Sequence, residues 1–304
     1  MNLISAKNIS KKYSKLALDP DHIFRIQRIE KEAVAGFDLE IEEGEIVGFL
    51  GPNGAGKTTI LKMLSGIIYP TSGEAIVMGQ KNQLWWDLPA IDSFSLLKEI
   101  YEIPEAKYKK KLKTLMDVLS MHDIVNRRLR NLSLGERMKC ELAACLLHEP
   151  KVLFLDEPTI GLDIITAQSI RNFIKEINKI QRCTIILTSH YMGDIEELCR
   201  RVVIINHGMK VYDGDFKALI KKYAPEKIVK INLGEKKDRE KFAKIKIDKK
   251  IEDGVGIIKV PIKKLSGLAK EIFGKFNAEH ITIQDPDTED VIAKIYKGKE
   301  LDIK

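Results

Sequence analysis

The sequence lacks any long hydrophobic run. No apolar stretch among its 304 residues approaches the ~18–20 residues that a helix needs to cross a bilayer. Its first residues also lack the apolar region of a secretory signal peptide. With 44% hydrophobic and 31% charged residues, the chain has enough apolar content for a sizeable core, which excludes a mainly disordered protein. We expect a cytoplasmic protein of about two domains, with any membrane role supplied through a partner.

Cysteine is scarce, and no two cysteines form a C-x-x-C pair. This pattern indicates neither a disulfide scaffold nor a zinc site. Each cysteine lies inside an apolar or amphipathic stretch, so we expect buried free thiols. The four residues are Cys140, Cys145, Cys183 and Cys199.

The positive charge is unevenly distributed. Residues 221–304 carry +6 of the total net charge of +7. Lysine dominates there, and Arg239 is the only arginine. A basic surface of this kind could meet anionic lipid or nucleic acid. A solubilising surface is the commoner use of lysine, so we expect no nucleic-acid partner.

Short apolar segments alternate with helical patterns over the first 215 residues. This alternation is typical of an α/β fold whose mostly parallel sheet is covered on both faces. Ligands bind at the carboxyl ends of the strands in such sheets. The predicted strands are Glu45–Leu50, Ala75–Met78, Val152–Leu155, Thr184–Thr188 and Val202–Asn206, and the predicted helices are 57–66, 105–120, 136–148, 164–180 and 192–199.

Three further regions depart from this pattern. Residues 1–44 contain short alternating pieces that predict an antiparallel edge sheet. Residues 85–148 are strongly helical and predict an inserted helical lobe. Beyond about residue 223, strand and helix patterns indicate a small α+β appendage. The predicted domains are therefore 1–222 and 223–304.

A glycine-rich loop follows the first predicted strand of the sheet. It fits the P-loop pattern G-x-x-x-x-G-K-[ST], and a helix continues from it through Thr59. The glycines let backbone N–H groups converge on phosphate oxygens, and the helix N-terminus adds attraction for anions. Lys57 would reach the β- and γ-phosphates of ATP, and the Thr58 hydroxyl would ligate Mg²⁺. The loop comprises Gly51, Pro52, Asn53, Gly54, Ala55, Gly56, Lys57 and Thr58.

A second strand ends in two adjacent carboxylates, Asp156 and Glu157. A buried strand rarely ends so unless a cation or a proton is handled there. We expect Asp156 to hold Mg²⁺, directly or through water, and Glu157 to polarise an attacking water as a general base. The competing interpretation is a strand followed by an acidic helix cap.

The pentapeptide Leu132–Glu136 narrows the assignment, because it resembles the L-S-G-G-Q signature of ABC transporter ATP-binding cassettes. The resemblance covers about residues 1–220, with several motifs in the family's order. Ser133 and Gly135 match the signature, whereas Leu134 and Glu136 depart from it. The resemblance implies that this loop completes the ATP site of a second protomer. A capped helix start, with Ser133 and Glu136 as a capping box, explains the same residues, and both interpretations can hold together.

Four more residues match the family's motifs, and the resemblance implies their roles. Tyr13 resembles the aromatic residue that stacks on adenine, although a plain core or surface tyrosine is the alternative. Gln80 resembles the glutamine that senses Mg²⁺ and the attacking water. Asp163, which ends Pro158–Asp163, would contact the opposite protomer. His190 resembles the switch histidine on the γ-phosphate; a structural histidine is its alternative.

The segments 80–89 and 132–136 are similar to the ABC-2, drug-resistance class of cassettes. This resemblance implies a homodimer of cassettes on the inner face of the membrane, joined to a separate permease that mostly drives export. Trp85 and Trp86 would either anchor the permease or pack within the lobe. A soluble ABC ATPase and a nucleotide-binding module with impaired hydrolysis remain the alternatives.

The segment before Gln80 has a single predicted strand, where cassettes of this family have two strands joined by a charged connection. Lys57 and Gln80 are only 23 positions apart, and Gly73–Gln80 runs through without the usual charged connection. A single strand cannot serve both the antiparallel edge sheet and the core beside Asp156. We expect the core position to be filled, because a vacancy there would leave buried backbone groups unpaired. The edge sheet would then lose a strand, and the sequence predicts a folded but abbreviated cassette whose ATPase activity is reduced or uncertain.

Overall fold

The computed structural model describes residues 2–19, 22–76, 84, 87–245 and 247–297. The chain forms two compact units, which divide between Asp215 and Phe216. No helix among the described residues is long and apolar enough to cross a membrane. The first unit contains β1 (Asn2–Asp19), β2 (His22–Glu42), β3 (Ile46–Leu50), α1 (Lys57–Leu64), β4 (Ser72–Ile76), α2 (Ala90–Ile100), α3 (Glu105–Leu119), α4 (Leu134–Leu146), β5 (Val152–Asp156), α5 (Ile164–Gln181), β6 (Thr184–Thr188), α6 (Met192–Leu198), β7 (Arg201–Asn206) and β8 (Met209–Asp215).

A five-stranded sheet, in the order β5-β6-β3-β7-β8, forms the centre of the first unit. Its first four strands are parallel, and β8 runs antiparallel to β7. Every residue of β6 is buried, as expected for a strand inside a sheet that is covered on both faces. The predicted mostly parallel α/β core is confirmed, and the four cysteines are buried free thiols as predicted.

An antiparallel sheet, in the order β2-β1-β4, packs beside this core. Its apolar residues join one hydrophobic cluster with the central sheet and with α1, including Ile4 and Ile60. The rings of Phe37 in β2 and Phe49 in β3 meet edge to face, with centroids 6.3 Å apart. The predicted antiparallel edge sheet is confirmed.

The expectation that the strand before Gln80 takes the core position is wrong. Strand β4 begins three residues earlier than predicted, and its described residues, Ser72–Ile76, pair with β1 in the edge sheet. The two strands are antiparallel, with Ser5 opposite Ile76 and Ser10 opposite Ser72. The edge sheet therefore keeps its third strand, and no described residue fills the predicted core position beside β5.

Contacts just before β4 explain why this strand pairs with β1. Lys11 Nζ donates to the carbonyl of Tyr69 at 2.6 Å, and the N–H of Thr71 donates to the carbonyl of Ser10 at 2.7 Å. The N–H of Lys12 donates to the Thr71 hydroxyl at 3.1 Å. Because these bonds hold the chain against β1 one residue before β4 begins, β4 continues along β1.

Strand β5 is consequently an edge of the central sheet. It pairs with β6 and has no second strand neighbour among the described residues. A groove of about 240 Å³ runs beside it, lined by α1, by Cys145 of α4 and by Val152, Leu153 and Phe154 of β5 itself. Residues 77–80, the remainder of the segment expected to fill this position, lie outside the described residues.

Helices α2, α3 and α4 form the predicted helical lobe. Their apolar sides are buried, including Phe94, Leu115 and Leu142. A single bridge between Pro89 and Arg128 is the only strand-like pairing in the described part of the lobe. Trp85 and Trp86, the predicted permease anchors, lie outside the described residues.

The second unit is a small α+β fold, as the appendage pattern predicted. Its antiparallel sheet has the order β10-β11-β9-β12. Phe242, Ile258 and Ile272 lie in its hydrophobic core. The unit begins seven residues before the predicted boundary at residue 223, because it includes α7. Its elements are α7 (Phe216–Tyr223), β9 (Glu226–Asn232), α8 (Lys236–Ala243), β10 (Lys249–Glu252), β11 (Val255–Pro261), α9 (Ile262–Phe273), β12 (Ile281–Gln284) and α10 (Thr288–Lys297).

Candidate functional site

The P-loop lies between β3 and α1 and is held from two sides. Gly56 has φ +103°, and a Cβ atom there would lie 2.6 Å from the carbonyl oxygen of Ala33 in β2. On the other side, Gly208 donates its N–H to the carbonyl of Ala55 at 2.9 Å and accepts one from Ala35 at 3.0 Å. Only glycine fits at position 56, and the loop is fixed by β2 and by the turn between β7 and β8.

The Lys57 side chain lies within the P-loop. Its Nζ donates to the carbonyls of Gly51 at 2.6 Å and of Pro52 at 3.1 Å. Burial lowers the pKa of Lys57, while the nearby carboxylates of Glu157 and Asp156 oppose this effect. Lys57 is removed from water and held only by two neutral carbonyls. Its ammonium group should therefore interact more strongly with a phosphate than a solvated lysine would.

Asp156 and Glu157 follow β5, and Thr188 at the end of β6 holds both. The Thr188 hydroxyl donates to Asp156 Oδ1 at 2.5 Å. The N–H of Glu157 lies 3.1 Å from both the carbonyl and the hydroxyl oxygen of Thr188. Glu157 has φ +53°, in the left-handed region that non-glycine residues rarely adopt. The two carboxylates are thus fixed at the carboxyl edge of the sheet by the adjacent strand.

His190 follows β6 and lies against Glu157. Its Nε2 is 3.0 Å from Glu157 Oε1. The histidine side chain is about half exposed, and the glutamate is one quarter exposed. Both side chains therefore reach solvent at the mouth of the site, where a ligand could contact them.

A cleft of about 480 Å³ brings most of the predicted site residues together. Its walls include Tyr13, the loop residues Asn53–Thr59, Asp156, Glu157 and His190. It also includes residues that the sequence analysis missed, because no motif marks them and they join the cleft only through the fold. These are Lys31, Glu32, Ala33, His207 and Gly208.

Tyr13 lies on β1 at the rim of this cleft and is 44% exposed. The Nζ of Lys11 lies 5.8 Å from the centre of its ring. A largely exposed aromatic ring on the wall of a polar cleft is placed to stack on a planar ligand.

The signature-like loop forms the start of α4. Ser133 Oγ accepts from the N–H of Glu136 at 3.2 Å, and Glu136 Oε2 accepts from the N–H of Ser133 at 2.8 Å. This is the capping box that the sequence predicted. The hydrogen bond from the Ser133 backbone is the main cause that lowers the pKa of Glu136, and Arg127, at 3.1 Å, adds to it.

The loop that follows Glu157 packs against the signature-like loop of the same chain. A Cβ atom on Gly135 would lie 2.7 Å from Cγ2 of Thr166, and one on Gly161 would lie 3.0 Å from Leu134. Asp163 caps α5 by accepting from the N–H and the hydroxyl of Thr166, at 2.9 and 2.6 Å. Ser133, Gly135, Glu136 and Asp163 do not line the P-loop cleft of their own chain.

Comparison with known proteins agrees with this geometry. A family model described as ABC transporter matches residues 34–160. The ATP-binding protein NatA of Bacillus subtilis is 32% identical over 207 residues, which span 62% of this chain and 84% of NatA. The chain belongs to the ABC transporter ATP-binding proteins. The probable multidrug ATP-binding protein YbhF of Escherichia coli is 32% identical over 64% of this chain and 36% of its own length.

Solved cassettes share the fold of this chain. An ATP-binding subunit of an ABC transporter superposes with a TM-score of 0.60 at 20% identity, over 73% of this chain and 93% of its own. The cassette MJ0796, solved as a dimer bound to ADP and Pi, superposes with a TM-score of 0.59 at 21% identity. The superposition covers 70% of this chain and 98% of MJ0796. The predicted P-loop α/β fold is confirmed by these structures.

The cassette has donors that suit Mg²⁺. Thr58 and Asp156 line the same cleft, and they offer hydroxyl and carboxylate oxygens, the hard ligands that Mg²⁺ prefers. The described residues contain no group of three or more histidine, cysteine or acidic side chains that could hold a metal ion alone. Gln80, the third predicted ligand, lies outside the described residues.

Proposed function

We propose that this cassette binds MgATP in the P-loop cleft and hydrolyses it. One observation carries the proposal: the cleft brings a phosphate-binding loop with a buried lysine together with Asp156 and with the Glu157–His190 pair. Lys57 and the backbone of the loop would bind the triphosphate. Thr58 and Asp156 would hold Mg²⁺, which neutralises charge between the β- and γ-phosphates when bound.

Glu157 is the base that we assign to the reaction. Its carboxylate can accept the proton of a water that attacks the γ-phosphorus, and Thr188 holds its backbone in place. His190, 3.0 Å away, is placed to donate a hydrogen bond to the γ-phosphate or to orient the carboxylate. Such positioned groups supply most of the rate enhancement in phosphoryl transfer.

A second copy of the chain would complete each site. Ser133 and Gly135 lie at the N-terminus of α4, an anion-binding position, yet they do not line the cleft of their own chain. Two chains paired head to tail about a two-fold axis would place this loop over the partner's γ-phosphate. Hydrolysis would then remove the charge that joins the two copies.

The Glu157→Gln variant tests this arrangement. It should bind ATP, fail to cleave it and accumulate as a dimer, detected by light scattering with saturating MgATP. Adding Ser133→Arg to this variant should abolish the dimer and leave ATP binding by the monomer intact, because the arginine blocks the signature-like loop alone. A Glu157→Gln protein that stays monomeric with saturating ATP would refute the two-site dimer.

The cassette would bind a separate membrane permease at the inner face of the membrane. Its ATP hydrolysis would power transport by that permease, in the direction of export. The family assignment supports this proposal, as do the relatives named for multidrug transport. The affinity-tagged chain should co-purify from detergent-solubilised membranes with an integral membrane protein, and ATP turnover should rise in that complex. Recovery with ribosomes and not with membranes would instead favour a soluble ABC ATPase.

A further inference from the structure

A buried carboxylate connects the two loops that carry Glu157 and His190. Asp194, in α6, is fully buried. Its Oδ2 accepts hydrogen bonds from the hydroxyls of Thr159 and Ser189, the latter at 2.7 Å. Its Oδ1 accepts from Nη1 of Arg171 at 2.9 Å. Thr159, Ser189 and Arg171 are buried as well, although all three also border a cleft of about 590 Å³ that Glu157 and His190 line.

The two hydroxyl donors lie in the loops that follow two neighbouring strands, β5 and β6. Thr159 is two residues beyond Glu157 in the loop after β5, and Ser189 directly precedes His190 in the loop after β6. One carboxylate oxygen therefore joins the two loops at a single point. The distance between Glu157 and His190 depends on how these loops are held relative to each other.

Helix α5 supplies Arg171, the positive charge that pairs with the buried carboxylate of Asp194. The Arg171 side chain is 6% exposed, and its Nη2 donates to Gln168 Oε1 at 2.8 Å. Glu197 Oε1 lies 3.2 Å from Nε on the outer side. A buried ion pair adds little net stability, because desolvation of both charges offsets their attraction. Its contribution is a fixed geometry, since breaking the pair would leave an uncompensated buried charge.

We propose that Asp194 is a positioning residue for ATP hydrolysis: it bridges Thr159 and Ser189 so that Glu157 and His190 keep their mutual geometry. The inference rests on the proposed ATPase activity. Asp194 itself does not line the P-loop cleft. Its effect should therefore appear in turnover and not in nucleotide affinity.

A matched pair at Thr159 separates positioning from packing. Thr159→Val keeps the side-chain volume and removes the hydroxyl, whereas Thr159→Ser keeps the hydroxyl and removes a methyl group. If the hydrogen bond positions the loop, Thr159→Val should lower kcat about tenfold or more with KM for ATP within about twofold, and Thr159→Ser should keep kcat within about threefold of the parent. If only packing matters, Thr159→Ser will be the more impaired variant, and the proposal fails.

Asp194→Asn and Glu197→Gln extend the test to the carboxylate. Asp194→Asn should lower kcat as Thr159→Val does, while Glu197→Gln, which touches the same arginine but neither loop, should leave kcat unchanged. The imidazole NMR signals of His190, assigned with His190→Gln, should move in Asp194→Asn and Thr159→Val only. Unmoved His190 signals in both variants would overturn the proposal. If Asp194→Asn folds poorly, the signals of Thr159→Val alone decide the outcome.

The outcome also distinguishes this inference from the proposed function. A parent chain that binds ATP without turnover, both alone and with its membrane partner, refutes the ATPase proposal and removes the basis of this one. A parent that turns over ATP while Thr159→Val and Asp194→Asn match it in kcat refutes only the positioning role.

Discussion

Nε2 of His190 lies 3.0 Å from Oε1 of Glu157, so the two side chains to which we assign hydrolysis contact each other directly. Their strands are neighbours in the sheet, and the Thr188 hydroxyl links Asp156 to the same point. Entry of a γ-phosphate would have to share His190 with the glutamate. We therefore expect nucleotide binding to change the position of the Glu157 carboxylate.

Lys57 should contribute mainly to triphosphate affinity. Lys57→Met removes the buried cation beside the phosphates and should weaken ATP binding by about tenfold or more, because a charge-assisted hydrogen bond to phosphate is lost. Lys62→Met, on an exposed position of the same helix, is the matched control and should leave affinity unchanged. Titration with a fluorescent ATP analogue measures both, and equal affinities of the two variants would contradict the assignment.

Tyr13 should contribute by stacking on the base. Tyr13→Ala is expected to reduce nucleotide affinity by about 1–3 kcal/mol, the range found for aromatic stacking on bases. Tyr13→Trp should retain affinity, and ATP and GTP should be affected alike because stacking tolerates either base. If the alanine variant binds ATP as the parent does, Tyr13 is simply a surface tyrosine.

Glu136 places a negative charge where the family signature has glutamine. Glu136→Gln keeps an oxygen for the capping box and removes the carboxylate that pairs with Arg127. In the Glu157→Gln background it should lower the ATP concentration needed for dimerisation, because a charge facing the partner's γ-phosphate is removed. Glu136→Ala keeps the Ser133 cap but loses the reciprocal bond from the Ser133 N–H, and should instead destabilise the fold by about 0.5–1 kcal/mol in urea unfolding. Unchanged ATP dependence in Glu136→Gln would show that the carboxylate does not face the phosphate.

Because a groove lies beside β5, replacing a side chain of this strand by a smaller one should cost less stability than the same change in β6. Leu153 lines the groove, whereas Leu187 of β6 is fully buried between β5 and β3. Leu187→Ala should cost about 3–5 kcal/mol of unfolding free energy, within the range for fully packed leucines, and Leu153→Ala about 1–2 kcal/mol less. Urea denaturation of both variants tests this, and equal losses would mean that the groove is closed in solution.

Local motifs account for the parts of the site that the sequence predicted. The strand, P-loop and helix around Lys57 are contiguous, so their order alone fixes their geometry. The Ser133–Glu136 capping box was predictable for the same reason. The cluster around Asp194 was not, because its four members come from separate elements and only the fold brings them together.

The position of β4 shows where sequence reasoning was wrong. Unpaired backbone groups beside β5 favour a strand in the central sheet, but the hydrogen bonds of Tyr69 and Thr71 to β1 hold the chain at the edge sheet before β4 begins. A contact between segments about sixty residues apart is not visible in local patterning. The consequence for Gln80 stays a prediction.

The most direct test of the account is steady-state ATP turnover by the purified chain beside Glu157→Gln, with nucleotide affinity measured on both. We expect Mg²⁺-dependent turnover by the parent, a loss of about 100-fold or more in the variant, and affinities within about threefold of each other. Equal turnover by the two proteins, or no binding of ATP by either, would contradict the account.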